Sequence, residues 1–140
     1  IALVATAVPM RVSETLLEQA LANRHEAIEM LVTWGFSEAF QADRETLQSA
    51  LRLMEQAAPG VIHADLRACA EYSAGLDHAA RVECPARLIL GEQDRLTPAR
   101  YASKLAKTLT HAQTVVLEGA GHALLAERPG DVLQQLNDIF

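Results

Sequence analysis

The sequence predicts an α/β fold with three parallel strands, a long helical insertion and a closing helix. Two short apolar runs, at residues 1–7 and 87–91, are bounded by proline, glycine or polar residues, as buried strands are, and residues 113–118 are predicted to form a third strand. Between these two runs, residues 13–72 show only the helical spacing of apolar side chains. Helical spacing returns from Pro129 to the last residue, so we expect an amphipathic helix to close the chain.

Length and composition favour one globular domain. The chain has 140 residues, of which 50% are hydrophobic, and a formal net charge of −6. A phosphate-binding surface needs clustered Lys and Arg, and the sequence contains no such cluster. We therefore expect neither a nucleic acid nor a membrane as a partner.

The first ten residues are apolar and resemble the end of a signal peptide. No basic segment precedes them, and the run is far shorter than the roughly 20 residues that span a bilayer. We therefore predict that residues 1–10 supply a core strand. A chain that begins inside a strand, without an initiator Met, is expected to be a fragment of a longer protein.

Two cysteines, Cys69 and Cys84, are too few for a disulfide framework. They could form one disulfide, but the preferred interpretation is two small buried thiols in an intracellular protein. We accordingly expect a cytoplasmic protein.

Residues 11–82 are predicted to form a helical segment and its linker. Ser13, Asn23 and Asp43 can each begin a helix, and a fourth helix is expected at residues 61–72. The large side chains of this segment are expected to form its own core, and one or two of them could line an apolar pocket. These side chains are Trp34, Phe36, Phe40, Met54 and Tyr72.

Residues 83–140 are predicted to return to the sheet with two strands and two helices. Thr97 as N-cap and Pro98 as first helical residue are expected to begin a helix after the strand at 87–91. The predicted buried face of this helix carries Tyr101, Leu105 and Leu109.

A carboxylate and an imidazole follow the last two predicted strands. Asp94 comes just after one strand, and His122 follows the next through Gly119-Ala120-Gly121, which permits a close approach of the backbone. Ligands and chemistry collect at the carboxyl ends of parallel strands, so we expect the two side chains to be neighbours. Taken alone, the aspartate could cap a helix and the histidine could be structural. Glu92 is an alternative acid.

The pattern Gly91-x-x-Asp94-x-x-x-Pro98, followed by Gly121-His122 and Glu127-x-Pro129, resembles the C-terminal half of an α/β-hydrolase. In that family the chain order of the triad is nucleophile, acid, histidine. The resemblance therefore implies that Asp94 is the acid and His122 the base, with no cofactor. It also implies that the helical segment is a lid over the site. The other four histidines have no spacing suited to metal ligation.

The resemblance implies a parent enzyme that acts on a carboxylic ester, lactone or similar acyl substrate through a Ser-His-Asp triad. Perhydrolases, dehalogenases and C–C hydrolases of the same family are not separated by this sequence. No Gly-x-Ser-x-Gly elbow occurs, so we expect the nucleophile upstream of Ile1 and no activity from this chain alone.

Two kinds of partner follow from the same resemblance. The strand at residues 1–7 would lack a neighbour, so the expected partner is the missing N-terminal half or a second copy of the chain through this edge. The alternative function is a non-catalytic helical interaction module in which Asp94 and His122 are merely inherited.

Overall fold

The computed structural model describes residues 1–41 and 43–139, which form three strands, nine α-helices and one 3₁₀-helix. The strands are β1 (Ala2–Val4), β2 (Ala86–Gly91) and β3 (Ala112–Leu117). The helices between β1 and β2 are α1 (Glu14–Leu21), α2 (His25–Gly35), α3 (Glu38–Gln41), α4 (Arg44–Glu55), α5 (Val61–Glu71) and α6 (Gly75–Ala79). The later helices are α7 (Ser103–Thr108), α8 (Leu124–Glu127) and α9 (Pro129–Asn137), and the 3₁₀-helix Ala99–Ala102 leads into α7.

The strands form one parallel sheet in the order β1-β2-β3, which confirms the predicted parallel arrangement. Leu88 of β2 pairs with Leu3 on one side and with Thr114 on the other. β2 is central, and its Leu88 and Ile89 are completely buried. Because all three strands run the same way, the loops that follow them leave the sheet at the same edge.

Two apolar clusters cover the two faces of the sheet. One cluster joins Leu88 and Leu90 to α7 through Leu105 and to the end of that helix through Leu109. The other joins Ile89 to Leu124 of α8 and Val132 of α9. Successive β2 side chains point to opposite faces, so one strand contributes to both clusters.

The first strand is shorter than predicted, because it ends at Val4 instead of continuing to Ala7. Ala5 has a φ of 48°, a left-handed conformation that turns the backbone out of the ladder. Ala7 and Val8 are nevertheless buried, so the apolar pattern reflects packing beyond the strand.

The helical segment contains the predicted helices, with two differences. Ser13 accepts a hydrogen bond from Leu16 N, and Asp43 caps α4 through the amides of Glu45 and Thr46. Arg24, and not Asn23, is the N-cap of α2. Asn23 has a left-handed backbone with a φ of 51°. Its side-chain oxygen instead accepts a hydrogen bond from Gly60 N at 2.7 Å, so it joins two loops of the segment. The short helices α3 and α6 had not been predicted.

Large side chains of the helical segment pack partly within it. One cluster joins Leu16, Ala20 and Ala27 to the half-buried Trp34 and Ile62. The rings of Phe36 and Phe40 stack with centroids 6.3 Å apart.

The helix predicted to begin at Pro98 begins one residue later and starts as 3₁₀. Pro98 is the cap, and the Thr97 side chain turns away from the helix. Leu105 and Leu109 are buried as predicted, but Tyr101 is 38% exposed. The 3₁₀ turn has three residues per turn, which rotates Tyr101 away from the buried face. On the exposed side the Arg100 guanidinium lies 4.6 Å from the centroid of the Tyr101 ring.

The remaining predictions about the fold concern the cysteines, the closing helix and membrane-spanning segments. Cys69 is half-buried and Cys84 is exposed, both as free thiols, so the prediction that both are buried was wrong. In α9, Val132 is buried but Leu133 is 58% exposed. Phe140, the end of the predicted closing helix, lies outside the described residues. No helix within 1–41 and 43–139 combines the length and the hydropathy that crossing a membrane requires.

Candidate active site

Asp94 and His122 meet at the carboxyl-terminal edge of the sheet. The loop after β2 carries Asp94, the loop after β3 carries His122, and the two strands are adjacent and parallel. The Nδ1 atom of His122 lies 2.9 Å from Oδ2 of Asp94. The Asp94 side chain is 1% exposed and the His122 side chain 33%. The sheet thus joins a buried carboxylate to a partly accessible imidazole.

The Asp94 carboxylate is held by the turn that follows it. Its Oδ1 accepts hydrogen bonds from Leu96 N at 2.9 Å and from Thr97 N at 2.8 Å. Burial acts to raise the pKa of Asp94, but the hydrogen bond and charge of His122, together with the Thr97 hydrogen bonds, outweigh burial and hold this pKa below its usual value. Asp94 is therefore ionised at neutral pH and accepts the proton of His122 Nδ1.

The two loops touch through their backbones, and this contact requires glycine. Gln93 N donates to Ala120 O at 2.8 Å. A Cβ atom on Gly91 would lie 2.0 Å from Gly121 O and 2.6 Å from Ala120 O. Because no real Cβ approaches so closely, only glycine at position 91 lets the acid loop and the histidine loop come together.

The histidine loop is also fastened to the end of α2. The amides of His122 and Ala123 both donate to Gly35 O at 2.9 Å. Glu127, which is only 6% exposed, accepts hydrogen bonds from Gly121 N at 3.1 Å and from Ser37 N at 3.2 Å. Sequence reasoning placed Glu127 in a motif but assigned it no contact. The sequence feature that could have indicated this role is an acidic residue at the end of an otherwise apolar helical turn.

Sequence reasoning also missed the position of Thr97, which was predicted only as a helix cap. Its hydroxyl oxygen lies 2.8 Å from Asp94 Oδ2, 3.1 Å from His122 Nδ1 and 2.9 Å from Ala5 O. No local pattern could reveal this arrangement, because Ala5 is 92 residues away in the chain.

The alternative acid, Glu92, points elsewhere. Its Oε2 accepts a hydrogen bond from Gly119 N at 2.9 Å, and it makes no hydrogen bond to His122 within the part of the chain that the structure describes. Glu92 therefore supports the loop after β3. Glu118, the last residue before Gly119, is exposed.

The hydrogen bond to Asp94 determines which nitrogen of His122 can act as a base. An ionised carboxylate only accepts, so Nδ1 of His122 carries the proton and the neutral ring has its lone pair on Nε2. Among residues 1–41 and 43–139, no serine or cysteine is hydrogen-bonded to Nε2. The free nitrogen can therefore take a proton from a group that another segment brings to it.

Metal binding finds no support in the described ranges, where no three His, Cys, Asp or Glu side chains are grouped to hold an ion. His25, His78 and His111 are exposed and His63 is half-buried. A cleft of about 340 Å³ lies beside the acid loop, and its lining includes Phe36, Gln93 and Arg95. Phe36, one of the large side chains of the helical segment, thus borders a cleft whose other lining residues, Glu38, Gln41, Gln93 and Arg95, are polar.

A family model described as the Alpha/beta hydrolase family matches residues 2–135. Among curated proteins, monoacylglycerol lipase ABHD6 of Rattus norvegicus is 39% identical over 49 residues, which make up 35% of this chain and 14% of the lipase.

Solved structures share the fold over nearly the whole chain. A thermophilic esterase matches with a TM-score of 0.82 and 23% identity, covering 98% of this chain and 54% of the esterase. An esterase from Exiguobacterium antarcticum matches with a TM-score of 0.84 and 14% identity, covering 99% of this chain and 56% of that protein. The chain thus spans about half the length of these structures, and at this identity the likeness concerns the fold.

Proposed function

Since this chain belongs to the alpha/beta hydrolase family, we propose that it supplies the acid and the base of a serine-type hydrolase. The proposed substrate is a carboxylic ester, lactone or similar acyl compound. The observation that carries the proposal is the 2.9 Å contact between Asp94 Oδ2 and His122 Nδ1, with Nε2 of the ring left without a partner in the described residues. The curated relative, a monoacylglycerol lipase, supports the same reaction class.

In this proposal His122 moves the proton and Asp94 orients it. Nε2 of His122 takes the proton of a serine hydroxyl as that oxygen attacks the acyl carbon, and returns it to the leaving alcohol. Asp94 keeps the other ring proton on Nδ1 and stabilises the imidazolium while it exists. The partial exposure of His122, at 33%, allows both a nucleophile and a substrate to reach the ring.

The nucleophile of the proposed triad lies outside this chain. The chain has no Gly-x-Ser-x-Gly sequence, and its serines occupy other kinds of position. Ser13 caps α1, and the Ser37 hydroxyl is buried without a hydrogen-bond partner, as judged from the described residues. The remaining serines are Ser49, Ser73 and Ser103. The donors of an oxyanion hole would accompany the missing nucleophile.

The helical segment is proposed as the lid of the site. Its α2 ends at Gly35, whose carbonyl accepts a hydrogen bond from His122 N, so the segment contacts the histidine loop directly. Phe36 then faces the cleft beside Gln93 and Arg95, where an acyl or leaving group could contact the lid.

The proposal is tested by determining the coding sequence upstream of Ile1. We expect a strand followed by a Gly-x-Ser-x-Gly elbow. The longer chain should hydrolyse p-nitrophenyl butyrate, and both His122→Gln and alanine at the elbow serine should abolish turnover. The 140-residue chain should show no more hydrolysis than its own His122→Gln variant.

Two results would contradict the proposal. Glycine or alanine at the nucleophile position would indicate the non-catalytic interaction module instead. Turnover by the 140-residue chain that depends on His122 would place the nucleophile within this chain.

A further inference from the structure

The Thr97 hydroxyl lies at the centre of the Asp94–His122 contact. One oxygen atom is within hydrogen-bond distance of Asp94 Oδ2, His122 Nδ1 and Ala5 O, at 2.8, 3.1 and 2.9 Å. It joins three segments of the chain: the end of β1, the acid loop and the histidine loop. A hydroxyl that only caps a helix would contact neither the end of β1 nor the histidine loop.

Two backbone features bring Thr97 to this point. Asp94 Oδ1 binds the amides of Leu96 and Thr97, so the acid loop curls back on its own carboxylate. Ala5 adopts a left-handed conformation, with a φ of 48°, that is unfavourable for a residue with a Cβ. Its amide donates to Ile89 O at 2.8 Å, and its carbonyl oxygen lies 2.9 Å from the Thr97 hydroxyl, so the end of β1 lies against the acid loop.

The single proton of the hydroxyl has two acceptors within reach, Asp94 Oδ2 and Ala5 O. A carboxylate is the stronger acceptor and the distance to it is the shorter one, so the proton goes to Asp94. The Asp94 oxygens then receive four donors: two amides on Oδ1, and Thr97 and His122 on Oδ2. With every donor in place the carboxylate has little freedom to rotate away from the ring.

We propose that Thr97 is a positioning residue for the Asp94–His122 pair. Its hydroxyl holds Oδ2 of Asp94 against Nδ1 of His122, so that the neutral ring keeps its proton on Nδ1 and presents Nε2 as the base. The value of this role for turnover rests on the proposed function. The effect on the histidine tautomer does not, because it is a property of this chain alone.

The test compares variants at position 97 in the 140-residue chain. Thr97→Val keeps the shape of the side chain but removes the hydroxyl, and Thr97→Ser keeps the hydroxyl. The tautomer of His122 is measured by ¹⁵N NMR of the ring, at a pH about two units above the usual histidine pKa of roughly 6.5. We expect Thr97→Val to lower the ratio of Nδ1–H to Nε2–H forms by about three- to tenfold, the range for loss of one hydrogen bond. Thr97→Ser should restore the ratio.

A matched control is Thr108→Val, which removes the hydroxyl that donates to Lys104 O at 2.9 Å on the exposed side of α7. It should leave the His122 tautomer unchanged. An amide fingerprint spectrum checks the fold of each variant, and Thr97→Ala removes the same hydroxyl if the valine does not fold. An unchanged tautomer ratio in the folded valine or alanine variant would overturn the proposal, as would failure of Thr97→Ser to restore it. An upstream sequence without a serine elbow would overturn the proposed hydrolase and leave this result standing.

Discussion

Both carboxylate oxygens of Glu127 lie 3.1 Å from the amide of Gly121, the residue that precedes His122. Glu127 is buried, and its second partner, Ser37 N, belongs to the segment after α2. One charged group therefore fixes the position of the histidine loop relative to the helical segment. The charge is compensated by backbone donors alone, since no Lys or Arg side chain pairs with Glu127 in the described ranges.

The first prediction follows from this contact. Glu127→Gln retains the shape but replaces one acceptor oxygen with an NH₂ group. With the remaining oxygen at the Oε2 position both amides keep an acceptor, but the NH₂ group then faces Gly121 N–H and the hydrogen bonds are no longer to a carboxylate. We expect the free energy of unfolding to fall by about 2 kcal/mol. Urea denaturation measures it. Glu118→Gln, on an exposed side chain, is the control and should change stability by less than about 0.5 kcal/mol. If Glu127→Gln changed the free energy of unfolding as little as Glu118→Gln, the Glu127 contacts would contribute no net stability.

The second prediction concerns the glycine contact between the loops. Gly91→Ala places a Cβ on the carbonyls of Ala120 and Gly121, so the loops must separate. We expect a loss of about 3 kcal/mol in stability, and loss of the Asp94–His122 hydrogen bond in the NMR spectrum of the ring. Gly130→Ala is the control, because nothing lies within 4 Å of its Cβ and it is in helix α9. Alanine at 130 should be neutral or stabilising by up to about 1 kcal/mol. A stable Gly91→Ala variant with the hydrogen bond intact would contradict the packing argument.

The third prediction is kinetic and applies to the longer chain of the proposed hydrolase. Asp94→Asn presents an NH₂ group to His122 Nδ1, which favours the tautomer with its proton on Nε2 and removes the base. Turnover of an ester should fall by about 10⁴-fold. Glu92→Gln should reduce turnover by less than about threefold, because Glu92 bonds to Gly119 and not to the ring. The reverse ranking of the two variants would make Glu92 the acid.

The fourth prediction is a pH dependence of stability. The pKa of Asp94 in the fold is below its ordinary value of 3.8, so below about pH 4 the unfolded chain binds more protons at this site than the folded chain. The ionised Asp94 stabilises the fold fully above that pH, and this contribution is lost as the pH falls through the folded pKa. The stability difference between wild type and Asp94→Asn should therefore narrow on acidification from about pH 5 to about pH 2. Denaturation at a series of pH values measures it, and a difference that stays constant would contradict the lowered pKa.

The fifth prediction concerns the open edge of the sheet. Among the residues that the structure describes, β1 pairs only with β2, and Ala2 is exposed at the outer edge. We expect the 140-residue chain on its own to associate with a second copy through this edge, with a light-scattering mass that falls on dilution. Ala2→Lys should weaken the association by about tenfold or more, because two like charges would meet. Ala68→Lys, on the exposed side of α5, should not. A monomer at every concentration would contradict edge pairing.

Local chemistry was enough to predict much of this protein. The apolar run at residues 87–91 identified β2, the central strand, because a buried parallel strand needs little besides apolar side chains. The caps at Ser13 and Asp43 were predicted correctly because a cap is a contact between residues three positions apart or fewer. Asp94 and His122 could be placed side by side because adjacent parallel strands end at the same edge.

Tertiary structure decided the groups that surround this pair. Thr97 precedes Pro98 and was predicted to cap a helix, but its hydroxyl contacts Ala5 O and Asp94 Oδ2 and lies beside the histidine. The early end of β1 follows from the left-handed Ala5, a conformation that its own side chain disfavours. Glu127 acquired its role from amides at positions 37 and 121, which only the packed chain brings together. Local propensities concern neighbours along the chain, whereas these positions depend on contacts between segments that meet only when the sheet and the helical segment have assembled.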